Sequence, residues 1–279
     1  MTAQVLDSAG VTAAAEPSKI RRPHGPVQWP PRRNLFGVEV SITTCNEASK
    51  LIVEAAKRGC GGATTFLAVH GIVTGVTDKS YGAKVNAMDI VGPDGQPVRW
   101  ALNLLYRAGM RQRVYGPEVT LHICRRAAIE GVGVYLYGST HDVLVNMRSR
   151  LECLFPALRV VGIESPPFRP LTEAEMQKAA QRIIDSGAGI VFVGLGVPRQ
   201  ELFAAEMRRR INAVLVCVGA AFDFHAGNKR TAPAWMQNHG LEWLYRLVSE
   251  PRRLWRRYLV TNSIFVFLLL VNYLKPNRG

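Results

Sequence analysis

The sequence lacks most of the signatures that would declare its chemistry directly. No Walker A run is present, so a P-loop nucleotide site is excluded. No G-x-G-x-x-G opens a βαβ unit with an acid about 20 residues later, which disfavours NAD. D-x-D is absent, so the common metal-clamped sugar-nucleotide site has no support, and no G-x-S-x-G marks a hydrolase elbow. The five cysteines, at 45, 60, 124, 153 and 217, are scattered, odd in number and form no C-x-x-C pair. That argues against a zinc site and a disulfide framework, and fits a reducing cytosol. The six histidines are equally dispersed, so no metal cluster is visible. Residues 1–20 show no basic start followed by an apolar run, so no signal peptide is expected. The longest apolar run, 264–271, falls far short of the roughly 20 residues that span a bilayer. No internal repeat is apparent.

What is present is a chain of 279 residues, 48% hydrophobic, with a net charge of +14. It can bury a substantial core in one large α/β domain or two small ones. The basic balance points to a polyanionic partner: nucleic acid, an anionic membrane surface or phosphorylated substrates.

Residues 1–33 begin with small side chains and turn basic and proline-rich, the composition of a disordered tail. A nucleic-acid arm and a solvated or membrane-touching segment are both open for it. Order is expected near Leu35, with a strand over 36–41. Thr44 and Glu47 make a capping box for a helix to Arg58, which Gly59 stops. Strands are expected over 64–70 and 89–91, helices over 79–87 and 98–105, and a tight Gly92-Pro-Asp-Gly95 turn. The second half alternates: strand 133–137, helix 141–155, strand 159–162, helix 172–186, strand 189–193, helix to Arg210, strand 213–218. This alternation implies βαβ units and a Rossmann-like parallel sheet with helices on both faces. A core over 34–240 follows from it.

The end of the chain differs. Residues 232–247 read as an aromatic-rich helix with Trp235, Trp243 and Tyr245. Pro251 opens another, and five arginines fall between 246 and 257 before the apolar run. Residues 241–279 thus read as a basic helical appendage lying in a membrane interface. A basic helix packed on the domain is the other reading.

One stretch stands out, Val191-Phe-Val-Gly-Leu-Gly-Val-Pro-Arg-Gln-Glu-Leu202. It reads as a buried strand, a glycine turn and a first helical turn. Gly194 and Gly196 expose backbone N–H groups, and the helix start adds a positive dipole end, a setting for an anion. An ordinary strand-to-helix turn would read the same. Ligands of open parallel sheets bind at the carboxyl ends of strands. The loops there, 92–95, 138–140, 194–200 and 219–227, would bring Asp94, Ser139, Gln200 and Asp223 together. Asp94 is the outstanding acid, although Asp also simply favours turns. His70, ending the preceding strand, could lie near it. Asp223, between Phe222 and Phe224, is expected to shape its loop through backbone hydrogen bonds.

Gly194-Leu-Gly-Val-Pro-Arg-Gln-Glu201 resembles the signature of the WecG/TagA/CpsF glycosyltransferases. So do Val218-Gly-Ala-Ala-Phe-Asp-Phe-His-Ala-Gly227, Ala232-Pro-Ala-Trp235, Gly240-Leu-Glu-Trp-Leu-Tyr-Arg-Leu247 and Glu250-Pro-Arg-Arg-Leu-Trp-Arg-Arg-Tyr258. Gly92-Pro-Asp-Gly95 looks like the family's P-D-G turn. The resemblance spans roughly 35–260, with the motifs in order. It implies inverting, metal-independent transfer of a sugar from a UDP-sugar, as co-substrate rather than cofactor, to a polyprenyl-diphosphate-linked sugar. N-acetylmannosamine, its uronate or a glucose-type sugar are the donors it suggests. Cell-surface polysaccharide is the product, made at the cytoplasmic face of the membrane by a peripheral protein. By resemblance Asp94 is the base. The residues expected to bind substrate are Gly138, Ser139, Gly194, Gly196, Arg199, Gln200, Glu201, Phe222 and Asp223. Arg246, Arg253 and Arg256 would meet a diphosphate. The pattern departs at Ala68 and His70, where many members carry Thr and Asn, and at Arg199, where Lys is common. His70 is thereby placed in the site as a catalytic candidate beside Asp94, in lieu of an amide. A nucleotide- or nucleic-acid-binding module without catalysis is the alternative; no nucleic acid is expected on the preferred reading. Whether the chain is a monomer or a homo-oligomer stays open.

Overall fold

The computed structural model describes residues 27–274, apart from the side chains at 234, 238 and 253. Strands β1 (Arg32–Leu35) and β2 (Val38–Ser41) pair as an antiparallel ribbon. Then follow α1 (Cys45–Lys57), β3 (Gly62–Leu67), α2 (Val69–Thr77), α3 (Lys79–Asn86), β4 (Ile90–Pro93), α4 (Gln96–Tyr106) and α5 (Gly116–Glu130). The second half comprises β5 (Val134–Gly138), α6 (His141–Leu154), β6 (Val160–Glu164), α7 (Glu173–Asp185), β7 (Ile190–Gly194), α8 (Arg199–Met207) and β8 (Val214–Cys217). It closes with α9 (Ala221–Ala226), α10 (Ala234–Asn238), α11 (Glu242–Ser249) and α12 (Pro251–Leu274).

Strands β3 to β8 form a six-stranded sheet in the order β4-β3-β8-β7-β5-β6, parallel at every pairing. The apolar runs 190–193 and 214–217 are its buried centre, as a sheet covered on both faces requires. Helices α1, α5, α6 and α9 pack in one connected group, and α2, α3 and α8 in another. That division follows from right-handed crossovers running in two directions along one sheet. The fold is therefore the expected Rossmann-like α/β architecture, with a helical C-terminal extension.

Several local readings change. Packing starts upstream of 34: Val27 and Pro30 are buried and β1 begins at Arg32, while residues 1–26 of the expected tail lie outside the described residues. Strand β3 ends at Leu67, so His70 sits in the first turn of α2 rather than at a strand end. Strand β4 runs through Pro93, and α4 starts at Gln96, so Asp94 lies in a two-residue strand-to-helix connection rather than a tight turn. Pro93 is tolerated because β4 is an edge strand. Helix α5 was not expected. Its signals are local: Pro117 in the first turn, Glu118 beside it, and Gly131 at φ +68° closing the C-terminus. The segment 219–227 is not all loop, because it holds α9. The helix expected over 232–247 breaks at Gly240, whose φ is +72°.

Helix α12 is longer than the apolar run suggested. The apolar run counts only unbroken apolar residues, whereas the helix continues through Thr261, Asn262 and Ser263. Leu254–Leu274 is long and apolar enough to cross a membrane, judged by length and composition only. Yet α12 packs sideways on α2 and α4, with Leu254 and Phe265 buried. The Phe265 ring meets Phe36 edge-on at 5.4 Å.

Candidate active site

Strands β5 and β7 are neighbours, but their crossovers leave in opposite directions, to β6 and to β8. Such a switch point opens a crevice at the strands' carboxyl ends. There Gly138 and Gly194 stand in register. A Cβ on Gly138 would lie 2.7 Å from the Gly194 backbone, and one on Gly194 would lie 2.6 Å from the Phe222 ring. Both positions therefore exclude any side chain. Ser139 follows in the left-handed region at φ 55° and donates its N–H to the Gly194 carbonyl at 3.1 Å. A cavity of about 1320 Å³ opens above this edge.

The glycine turn forms one wall. Gly196 adopts φ +76° and donates its N–H to Gln200 Oε1 at 3.2 Å. Gln200 Nε2 donates to Glu201 Oε1 at 2.8 Å, and Thr65 Oγ1 donates to the same oxygen at 2.8 Å. Gln200 lines the cavity but is only 2% exposed, since its amide is occupied by this network. Glu201 does not reach the cavity. It is fully buried, and that burial pushes its carboxyl up to about 7 against the pull of the Gln200 and Thr65 hydrogen bonds. Arg199 is exposed at the rim. Phe222 is buried under Gly194, and Gly138 lies beneath the lining.

Asp94 faces the cavity from the end of β4, anchored by its N–H to the Leu67 carbonyl at 3.1 Å. Its Oδ2 accepts the Gly116 N–H at 3.4 Å, at the start of α5. Burial pushes its carboxyl up to about 6, opposed by the Arg113 and Arg246 guanidiniums and helped by the Glu242 carboxylate. His70 also lines the cavity. Its Nδ1 is buried with no hydrogen-bond partner, and burial with the Arg257 charge lowers its pKa. Asp223 pairs with Lys229 Nζ at 3.5 Å across the C-terminus of α9. Its carbonyl also accepts the Asn228 and Lys229 N–H groups at 2.9 and 3.2 Å, so Asp223 shapes this loop through backbone hydrogen bonds with an ion pair in addition.

The arginines sort differently from expectation. Arg246 lines the cavity, 5.1 Å over the Phe224 ring. Arg256 is exposed and lies over the adjacent Trp255 ring, away from the lining. The side chain of Arg253 lies outside the described residues. Arg257, which motif reasoning passed over, lines the cavity with its Nε buried and unpaired. Arg113, Tyr115 and Glu242 were also missed. Glu242 lies inside the Gly240-Leu247 motif and could have been found there; Arg113 carries no local signal. Among the described residues no three His, Cys, Asp or Glu side chains gather as metal ligands would.

A parallel sheet with a deep crevice at its switch point, glycine backbone on one wall and a carboxyl among arginines on the other, defines a Rossmann-like α/β enzyme. A comparison with protein families goes further. Residues 33–279 match the Glycosyl transferase WecG/TagA/CpsF family, and the chain belongs to it. It is therefore a glycosyltransferase, a class that takes a nucleotide-sugar donor and a sugar acceptor.

Proposed function

We propose that this protein transfers a sugar, with inversion, from a UDP-sugar to a polyprenyl-diphosphate-linked saccharide. The observation that carries the reading is Asp94, a cavity carboxyl raised to about 6 between Arg113 and Arg246. A base in that range is ionised at neutral pH yet strong enough to take a proton. The acceptor hydroxyl oxygen attacks the anomeric carbon. Its proton passes to Asp94, and the bond to the UDP oxygen breaks with the electron pair going to UDP. Arg113, Arg246 and Arg257 supply the positive charge that meets the leaving diphosphate. That supports a metal-independent reaction.

The start of α8, beside the glycine turn, suits the donor's diphosphate. His70 stands where it can hydrogen-bond a sugar hydroxyl. Helix α12 carries exposed Trp255, Leu259, Phe267 and Leu270 beside Arg252 and Arg256. That face suits an anionic membrane surface. Its contacts with α2 and α4 support a helix held against the domain at the membrane surface, in keeping with a peripheral enzyme. The test is a panel of UDP-sugars offered with a short-chain lipid-diphosphate sugar. One donor is expected to turn over, and Asp94→Asn to abolish it. Full activity in that variant would remove Asp94 as the base.

A further inference from the structure

Asp94 stands in the field of two guanidiniums, yet among the described residues no ion pair joins it to either. Both are taken by a second carboxylate. Arg113 Nη2 lies 2.5 Å from Glu242 Oε2, and Arg246 Nε lies 3.3 Å from Glu242 Oε1. The Tyr115 hydroxyl donates to Glu242 Oε1 at 3.1 Å. Glu242 is only 8% exposed, so these contacts form away from bulk water. Aromatic rings brace the cations: Arg113 lies 4.0 Å over Tyr115 and Arg246 5.1 Å over Phe224. Among the described residues, the Asp94 carboxylate is left with the Gly116 N–H, at 3.4 Å.

We propose that Glu242 is a positioning residue that holds Arg113 and Arg246 away from Asp94, keeping that carboxylate free to accept a proton. The proposal rests on the reading of Asp94 as the base. The physical reason is competition. A guanidinium in direct contact with a buried carboxylate forms a strong charge-assisted pair and weakens it as a base. Two cations close enough to meet a diphosphate are close enough to capture Asp94. Glu242 resolves that conflict by offering both a better-placed partner. The charged and titratable groups that act on Asp94 are Arg113 before α5, Glu242 and Arg246 on α11, and Tyr115 and Cys45 more weakly. Arg113 and Arg246 pull its affinity for a proton down, and Glu242 pushes it up.

The test follows the Asp94 carboxyl directly, by carbon-13 NMR of aspartate-labelled full-length protein, with the resonance assigned by its loss in Asp94→Asn. In the wild type the midpoint is expected at about 6. In Glu242→Gln the midpoint is expected to fall by about one pH unit, the effect of a guanidinium brought into contact. The acid limb of kcat/KM moves with it, and kcat drops. Adding Arg113→Gln to that variant raises the midpoint again. Glu242→Asp keeps the charge but shortens the reach, and lowers the midpoint by less. It carries the comparison if Glu242→Gln does not fold. Loss of the Glu242 charge by itself also lowers the midpoint, so Glu242→Asp decides: a purely electrostatic role leaves its midpoint at the wild-type value, whereas released guanidiniums lower it. A midpoint that stays put or rises in the folded variants overturns the proposal. Because the titration needs no turnover, it separates this outcome from a failure of the UDP-sugar reading, which the donor panel reports.

Discussion

The two walls of the cavity are built in opposite ways. The glycine wall comes from short contiguous stretches, 138–139 and 194–201, and presents mainly backbone. Its shape is set by steric exclusion, since a Cβ on Gly138 or Gly194 would sit under 3 Å from its neighbours. The charged wall comes from segments far apart in sequence, with Arg113 and Glu242 separated by 129 positions. Its arrangement is set by competition between charges at low exposure. On the proposed function the first wall meets the donor's diphosphate, and among its described residues no carboxyl faces the cavity; Glu201 is turned inward. The second holds Asp94, and its function depends on which cation pairs with which carboxylate. On the proposed function, binding falls to backbone geometry and chemistry to electrostatics, and the two should fail differently.

The largest effect tests the charged wall. Asp94→Asn should lower kcat by about 10² to 10⁴, the range a positioned base contributes. The same change should stabilise the fold. The carboxyl rises from the ordinary 3.8 to about 6 on folding, so the folded state binds the extra proton between those values. Wild-type stability therefore falls as pH rises through that window, and the charged form is a cost above it. Urea midpoints at pH 7.5 should favour Asp94→Asn by roughly 2 kcal/mol, with the difference vanishing below pH ~4. A variant that is both inactive and less stable at neutral pH would mean that Asp94 holds structure rather than a proton.

The glycine wall should lose fold and binding together. Gly194→Ala places a methyl 2.6 Å from the buried Phe222 ring. Overpacking of this kind costs about 1–3 kcal/mol. The Phe222 ring must yield, and with it α9 and the cavity edge. UDP affinity is expected to fall in the same variant, while the Asp94 titration stays where it was. A shifted Asp94 midpoint would show that the walls are coupled after all.

How much of this could be read from sequence follows the same division. Alternating apolar runs locate the parallel sheet, because periodicity is a local property. Gly194, Gly196 and Asp94 are legible because each sits at the end of a strand whose direction fixes where it faces. Helix α5 escaped because its apolar positions are diluted by arginines and its capping signals are modest. The 232–247 segment looked continuous because Gly240 alone carries the break. Arg113, Tyr115 and Glu242 meet only through the fold, so no spacing rule joins them. The arginines of α12 show the limit most plainly. Composition identifies a basic helix, but the choice between Arg256 and its neighbour depends on how α12 is rotated against α2.

A smaller effect probes the layer behind the glycine wall. Glu201 is pushed up to about 7 by burial, from 4.5. Its charged form is therefore a cost at alkaline pH, and wild-type stability should decline as pH rises from about 4.5 to 7. Glu201→Gln keeps acceptors for Thr65 and Gln200 and removes that dependence. At pH 8 it should be more stable than wild type by on the order of 1–2 kcal/mol, and at pH 4 no better. Chemical denaturation across that range is the measurement. Retention of UDP binding would confirm that Glu201 orients Gln200 through hydrogen bonding rather than through its charge.

The smallest effect concerns the rotation of α12. Arg256 points outward over Trp255, whereas Arg257 lines the cavity beside His70. Arg256→Ala removes an exposed cation, and such changes stay within about 0.5 kcal/mol of wild type in stability. Turnover of a short-chain acceptor in detergent should change by less than about threefold, and any loss should appear only with anionic vesicles, where each basic residue near the surface contributes about 1 kcal/mol. Arg257→Ala should instead weaken UDP or acceptor binding in both settings, because a charge-assisted contact to a diphosphate is lost. If Arg256→Ala proves the more damaging in detergent, α12 turns about its axis when substrate binds, and the charged wall gains its last cation only then.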